Sequence, residues 1–288
     1  MLDLSRVTLV IVATRGHAIS RIAVRDCLRR AIFGDVLVYT NDETRFGDSR
    51  EIGASHDVRY LPVPDWPNKE KAGYFYYSEA MAKVETEFGL LIEWDGGIHD
   101  PAKWRQDFFE YDYVGAPWVT RPGDELKVGN GGFTLVSRRL GHYICENRGR
   151  LPCLTDFDVC RRHRPKLEQE GGFRWAPADV AADFSWELGP RSPNNFGYHG
   201  TFTWPTMVDR SDLIVRARAM TDDPYVASKM APLMRVAPWL QSEIGADALS
   251  RYRAAQVPVR PTPGSVNRIT GRGNSAMRPR PPRYPGSI

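Results

Sequence analysis

The sequence predicts an α/β fold: a mostly parallel β-sheet with flanking helices, followed by a helical C-terminal extension. Three observations predict it. Short apolar, β-branched runs such as Val7–Ala13 read as strands buried on both faces. They alternate with segments whose apolar residues recur at helical spacing, the βαβ pattern of parallel sheets. The 288 residues are 42% hydrophobic and 11% aromatic, enough to build a sizeable core in one large domain or two modest ones.

Val7–Ala13 is the first strand, Ile19–Ala31 the first helix, and Asp35–Tyr39 the second strand, ending in Thr40-Asn41-Asp42. Val58–Val63 reads as a strand, Lys69–Val84 as a helix and Phe88–Glu93 as a central strand. Sheets of this kind bind ligands beyond the carboxyl ends of their strands. That rule selects Thr14, Arg15 and Asp42, and the stretch Glu93–Asp95. Pro101–Phe109 reads as a helix with Asp100 as N-cap and proline in its first turn. Tyr111–Ala116 and Gly132–Ser137 read as strands around a polar loop. Asp156–Gln169 is a predicted helix that stops before Gly171-Gly172. Ser211–Ala255 is helical with breaks at Pro224, Pro232 and Pro238. The expected division is 1–205, a ligand-binding catalytic domain; 206–256, a helical extension packed on it; and 257–288, a flexible Pro/Arg-rich tail.

The formal net charge of +4 comes from that tail, which holds six of the 39 basic residues and none of the 35 acidic ones. The remainder is slightly acidic and is not a basic nucleic-acid-binding body. No apolar run has the roughly 18–20 residues of a spanning helix, and the N-terminus lacks a basic segment before its apolar stretch. A cytoplasmic location is expected, with peripheral membrane association through the basic tail as a second possibility. Four cysteines form no CxxC pair. Cys145, Cys153, Cys160 and His163 read as buried reduced thiols beside a histidine, with a zinc site as the alternative.

Four segments can carry chemistry. In Glu93-Trp94-Asp95-Gly96-Gly97, alternation puts both acids on one side as the strand runs out. They suit a divalent cation or stand as solvated strand-end acids. Trp94 flanks a bound base or sugar, or belongs to the core. Gly129-Asn130-Gly131-Gly132-Phe133 needs either positive φ values or room beside a ligand, and a tight turn is the plainer reading. It fits neither a phosphate-binding P-loop nor a dinucleotide fingerprint. His199, between Gly197-Tyr198 and Gly200, is an accessible imidazole of the kind that binds manganese or zinc, or a core histidine. Asp156, in Thr155-Asp156-Phe157-Asp158, is a helix N-cap or a general base.

Together these segments resemble one family. The order EWDGGI, YDYVGAPW, VGNGGFTLVSRR, TDFDVC, FRWAPADVAADFSWE and FGYHG is similar to DUF5672, a bacterial family with GT-A-like glycosyltransferase character, over roughly Val7–Trp204. The resemblance implies a Rossmann-type GT-A fold that binds a nucleotide sugar. It implies Asp95 as metal ligand, His199 completing the metal shell, and Glu93 as a further ligand or a supporting group where the family more often has glutamine. It places Gly129, Asn130, Gly131 and Gly132 beside the donor sugar and acceptor. It makes Asp156 the base, although the glutamate that usually precedes it is Thr155 here; Asp158 is the second candidate. Thr14, Arg15, Asp42 and Trp94 are the expected nucleotide contacts.

The expected function is therefore a metal-dependent, inverting glycosyltransferase, using Mn2+ or Mg2+ and a nucleotide-sugar donor. Its acceptor is a glycan, a lipid-linked group or a nucleic acid. One alternative is a catalytically silent module of the same fold that binds a sugar nucleotide or glycan. Another is a nucleotidyltransferase, for which Ala13-Thr14-Arg15-Gly16 offers one glycine and no lysine. The arginine tail is either a solvated linker or a contact for an anionic partner.

Overall fold

Strand β1 (Leu2–Ala13) lies inside a six-stranded sheet and pairs in parallel with β2 (Ala31–Thr40) on one side and β4 (Phe88–Ile92) on the other. The structure, a computed structural model, describes residues 1–47, 52, 57–66 and 69–256. β3 (Val58–Pro62) extends the parallel set beyond β2. β7 (Phe133–Ser137) pairs antiparallel with β4, and β6 (Tyr113–Gly115) antiparallel with β7, for an order β3-β2-β1-β4-β7-β6. A smaller sheet, in the order β5-β9-β8, joins β5 (Gly97–Ile98), β9 (Gly197–Tyr198) and β8 (Ser185–Trp186). It brings the residues that follow β4 against those that precede the C-terminal helices. The fold is thus mixed α/β, with a mostly parallel central sheet and flanking helices, as the sequence predicts.

β1 begins five residues earlier than its apolar run. Asp3, Ser5 and Arg6 are exposed and hide the strand from a hydrophobicity reading. An irregularity between Leu4 and Thr8 shifts the register with β2. Helix α1 (His17–Leu28) follows and is apolar on two faces. Ala23, Val24, Cys27 and Leu28 join the core under the sheet, while Ile19 and Ile22 join a second core built by the C-terminal helices.

Two predicted helices are broken, each for a local reason. The segment from Lys69 is α2 (Lys69–Ser78), then a separate 3-10 turn Ala80–Lys83, because Glu79 leaves helical geometry. Pro101–Phe109 is two 3-10 turns, Pro101–Lys103 and Gln106–Glu110, although Asp100 caps the first as expected by accepting the Ala102 N–H at 2.9 Å. Between them Trp104 turns inward against Phe108, Phe109 and Phe196, so aromatic packing overrides helical continuity. After α3 (Arg138–Asn147), the predicted helix over 156–169 is present: it runs helical from Asp156, widens to π geometry over Asp158–His163 and continues as α4 (Arg164–Gly171). Pro165, which donates no N–H, sits where the π geometry gives way to α. Gly172 ends α4 in the left-handed conformation, with its N–H on the Glu168 carbonyl at 3.1 Å.

α5 (Ala178–Phe184) precedes β8. Six short helices follow β9: α6 (Trp204–Met207), α7 (Arg210–Met220), α8 (Pro224–Ser228), α9 (Ala231–Val236), α10 (Leu240–Glu243) and α11 (Ala246–Ala255). Pro224 and Pro232 open α8 and α9, where a proline costs no hydrogen bond. Buried Arg216 of α7 pairs with Asp26 of α1 and lies over the Trp204 ring at 5.3 Å. Residues 1–256 make one compact unit. The tail of 257–288 lies outside the described residues. Among the described residues, no helix is long and apolar enough to cross a membrane.

The cysteines do not converge on a metal. Cys153 is exposed, while Cys145 and Cys160 are buried. Burial pushes the Cys145 thiol up to about 11 and the Cys160 thiol up to about 12. His163 Nε2 faces the carbonyls of Pro152 at 3.0 Å and Cys153 at 3.2 Å, so it works as a backbone donor. The buried-thiol reading fits Cys145 and Cys160 and fails for Cys153.

Candidate functional site

The site is built where β4 stops. Glu93 donates its backbone N–H to the Gly132 carbonyl at 2.8 Å, and Gly96 closes a turn onto the Glu93 carbonyl at 3.0 Å. That turn leaves Glu93 and Asp95 facing one cavity. His199 enters from the end of β9, its backbone N–H held by the Trp186 carbonyl at 2.9 Å. Ligand atoms of Glu93, Asp95 and His199 all lie within 4.8 Å of one another, the one such histidine–carboxylate group among the described residues.

His199 is buried, and its Nε2 lies 3.2 Å from Asp95 Oδ1 and 3.9 Å from Glu93 Oε2. Its Nδ1 lies 3.4 Å from Glu187 Oε1. Neither ring nitrogen makes a well-directed hydrogen bond. Burial opposes charge on this ring, but the carboxylates of Asp95 and Glu187 outweigh it and hold His199 well above the ordinary imidazole range. A divalent cation fits this donor set. Two carboxylates and an imidazole suit a divalent cation such as manganese, and a cation would satisfy the buried Nε2 that geometry leaves without a directed partner.

The glycine loop packs against this group. A Cβ on Gly132 would lie 1.9 Å from His199 Nε2, and one on Gly131 would lie 2.8 Å from the Asp156 Cβ. A Cβ on Gly129 would meet Trp118 at 2.5 Å and Cys160 at 2.6 Å. None of the three has a positive φ. They are glycines because protein side chains crowd the space a Cβ would take, which corrects the expectation of positive φ there. Asn130 accepts the Gly132 N–H at 3.1 Å and donates to the Glu187 carboxylate. The loop thus fixes both the imidazole and one of its flanking acids.

Asp156 stands on the other side of the loop. Its Oδ2 accepts the Gly131 N–H at 3.0 Å and its Oδ1 the Phe157 N–H at 2.8 Å. Gly131 and Gly132 are neighbours with Cα atoms about 3.8 Å apart, so Asp156 and His199 flank one short stretch of backbone. Asp158 is engaged elsewhere. It accepts from the Thr155 hydroxyl at 2.7 Å and backbone at 3.3 Å, and pairs with Arg162 at 2.6 Å. Thr155 in turn accepts the Asp158 N–H at 3.3 Å. This reciprocal pair is a capping box, so the N-cap is Thr155 rather than Asp156.

The expected nucleotide contacts sit at the strand ends but not in this cavity. Thr14 is buried, and Arg15 pairs with Asp65 at 3.0 Å. Asp42 caps a 3-10 turn through the Thr44 N–H at 3.1 Å and pairs with Arg45 at 3.3 Å. Trp94 does line the cavity and meets Trp204 edge-on at 6.3 Å.

The cavity has a volume of about 510 Å³. It is lined by Glu93, Asp95, Glu187 and His199 together with Tyr225, Lys229 and Arg235. Sequence reasoning missed all four of Glu187, Tyr225, Lys229 and Arg235. Glu187 did have a signal, an acid directly after the buried Ser185-Trp186 strand. The two cations had none, because short helices with solvent-facing lysine and arginine look alike wherever they pack.

Comparison with known proteins follows this geometry. No curated protein matches the sequence. The galactosyltransferase LgtC, in complex with donor and acceptor sugar analogues, is 12% identical, with 86% of this chain and 99% of that one aligned and a TM-score of 0.43. Mouse xyloside xylosyltransferase 1, apo form, is 13% identical over 69% of this chain and 98% of its own, with a TM-score of 0.39. The apo glycosyltransferase GlyE of Streptococcus pneumoniae is 11% identical over 86% of this chain and 62% of its own, with a TM-score of 0.46. The family model described as "Protein of unknown function (DUF5672)" matches residues 73–199, a span that contains Glu93, Asp95, the glycine loop, Asp156, Glu187 and His199.

Proposed function

We propose that this protein is a metal-dependent glycosyltransferase that moves a sugar from a nucleotide-sugar donor to an acceptor hydroxyl. One observation carries the reading: Glu93, Asp95 and His199 converge in a cavity that Lys229 and Arg235 also line. A sugar nucleotide has a diphosphate leaving group, which suits a site that holds both cation ligands and fixed cations. Asp95, His199 and Glu93 would hold Mn2+ or Mg2+. The cation, when bound, supplies charge neutralisation at the diphosphate. Lys229 and Arg235 meet the remaining phosphate oxygens. Asp156, held by the Gly131 and Phe157 N–H groups, takes the proton of the acceptor hydroxyl. The hydroxyl oxygen bonds to the anomeric carbon as the bond to phosphate breaks, and the electron pair leaves on the diphosphate. A single displacement of this kind inverts the anomeric centre. In this reading residues 1–205 hold the donor, and 206–256 close the site over it.

Calorimetric titration with UDP, GDP and their sugar derivatives, with and without Mn2+, tests the reading. At least one is expected to bind wild type only with Mn2+, and Asp95→Ala is expected to weaken that binding tenfold or more, about the 1.4 kcal/mol that corresponds to a factor of ten. If no nucleotide binds wild type under any metal, the proposal fails. Binding without hydrolysis or transfer across an acceptor panel would favour the silent binding module instead.

The cations give a second expectation. Lys229→Gln and Arg235→Gln should each weaken nucleoside diphosphate binding by about three- to tenfold, a modest effect because both side chains are exposed. The matching monophosphate should be much less affected. Equal losses for both nucleotides in parallel titrations would place these cations away from the diphosphate.

A further inference from the structure

A second cavity, of about 740 Å³, opens between the end of β3 and the turn that holds Asp156. Its walls include Trp66, Tyr74 and Phe75, with Glu79, Thr155 and Arg162 as polar groups. Trp66 and Phe75 meet at 4.9 Å with their planes 42° apart. Phe75 is fixed from behind by buried Tyr39, edge-on at 5.0 Å. The cavity therefore has a rigid aromatic side and a polar side, a combination that suits a ring with one apolar face and hydroxyl groups around its edge.

Two elements join this cavity to the proposed catalytic group. Thr155 and Asp158, which bracket Asp156, both line it. Helix α2 carries Tyr74 and Phe75 into the cavity and, one turn on, places the Tyr77 hydroxyl 3.0 Å from where a Gly131 Cβ would lie. Gly131 holds Asp156, and Gly132 packs on His199. Asp156 thus stands between an aromatic cavity and the cation-binding group.

We infer that the cavity lined by Trp66, Tyr74 and Phe75 is the acceptor subsite, and that the acceptor presents a pyranoside ring whose apolar face stacks on Trp66. The inference rests on the glycosyltransferase reading and adds the acceptor class. In that reaction the acceptor hydroxyl attacks the anomeric carbon from the face opposite the diphosphate, and in this reading it reaches Asp156 from the cavity that Thr155 and Asp158 line. Glu79 and Arg162 offer an acceptor and a donor to ring hydroxyls. A nucleobase is the competing occupant.

Saturation-transfer NMR with methyl β-D-glucopyranoside, methyl β-D-galactopyranoside and methyl α-D-mannopyranoside at millimolar concentration tests it, in the presence of Mn2+ and UDP or GDP. At least one glycoside is expected to bind wild type, to bind tenfold or more weakly to Trp66→Ala, and to recover in Trp66→Phe. Mn2+-dependent nucleotide binding and the unfolding midpoint should be unchanged in both variants. Three results would overturn it: no glycoside binds wild type, Trp66→Ala binds glycoside as wild type does, or Trp66→Ala loses nucleotide instead with its unfolding midpoint intact. Failure of the glycosyltransferase reading shows separately, as absence of nucleotide binding to wild type.

Discussion

Gly132→Ala is expected to abolish cation binding while the fold persists. The added methyl would sit 1.9 Å from His199 Nε2 and 2.2 Å from two ring carbons, distances that no side chain tolerates. The imidazole cannot step aside easily. Its backbone is held by Trp186 at 2.9 Å, and its ring is wedged between Asp95 and Glu187. It must therefore change rotamer and leave Asp95. Overpacking of this kind costs about 1–3 kcal/mol, against a total of about 5–15 kcal/mol for a typical protein, so a lower unfolding midpoint but a folded protein is expected. A displacement of about 1 Å at a reacting group costs about a hundredfold, and turnover should fall at least that far. Titration with Mn2+ checks the first part and thermal unfolding the second. Wild-type Mn2+ affinity in this variant would show that His199 does not hold the cation.

The second large effect is expected outside the cavity lining, at Arg216→Met. Arg216 is 2% exposed and pairs with Asp26, whose side chain is 14% exposed, so α7 is tied to α1 by a largely buried charge pair. Removing one partner of such a pair leaves the other charge uncompensated and costs about 3–5 kcal/mol. Asp26 retains Arg25 at 3.7 Å and Arg29 at 3.8 Å, which favours the lower end. A loss of about 3 kcal/mol lowers the unfolding midpoint by about 6–12 °C in a chain of this size. The change reaches the site as well. Arg216 lies over Trp204, and the Trp204 indole N–H donates to the Asp95 carbonyl at 3.2 Å. Mn2+ affinity should fall along with stability. Arg216→Lys keeps the charge but loses the planar fork, and recovers only part of either. Denaturant unfolding of Arg216→Met, Asp26→Asn and the double variant measures the coupling. A coupling below about 1 kcal/mol would reduce the pair to the strength of a surface bridge.

The sheet was legible because its strands are apolar on both faces. Val7–Ala13, Asp35–Tyr39 and Phe88–Glu93 announce themselves without reference to neighbours. The helices from Lys69 and Pro101 were less legible, because their interruption depends on Glu79 and on the inward turn of Trp104, neither of which leaves a mark in the sequence. Of the segments singled out for chemistry, the structure brings Glu93, Asp95, His199, the glycine loop and Asp156 together. It leaves Arg15 and Asp42 in ion pairs of their own, and it engages Asp158 in a capping box.

Local pattern was sufficient wherever the determining interaction is short in sequence. Periodicity sets strand and helix type, but β4 ends at Ile92, and the Glu93–Gly96 turn rather than strand alternation faces both acids into one cavity. Everything that depends on chain segments remote in sequence was decided by packing. Glu93 and His199 are brought together because β9 pairs with β5. Gly132 is a glycine because His199 arrives from 67 positions later to fill the space a side chain would need. Lys229 and Arg235 become cavity walls because α7 docks on α1 through Arg216 and a second apolar core. Hydrophobic burial is non-directional, so the sequence alone could mark these residues as charged or small but could not say which of them would meet.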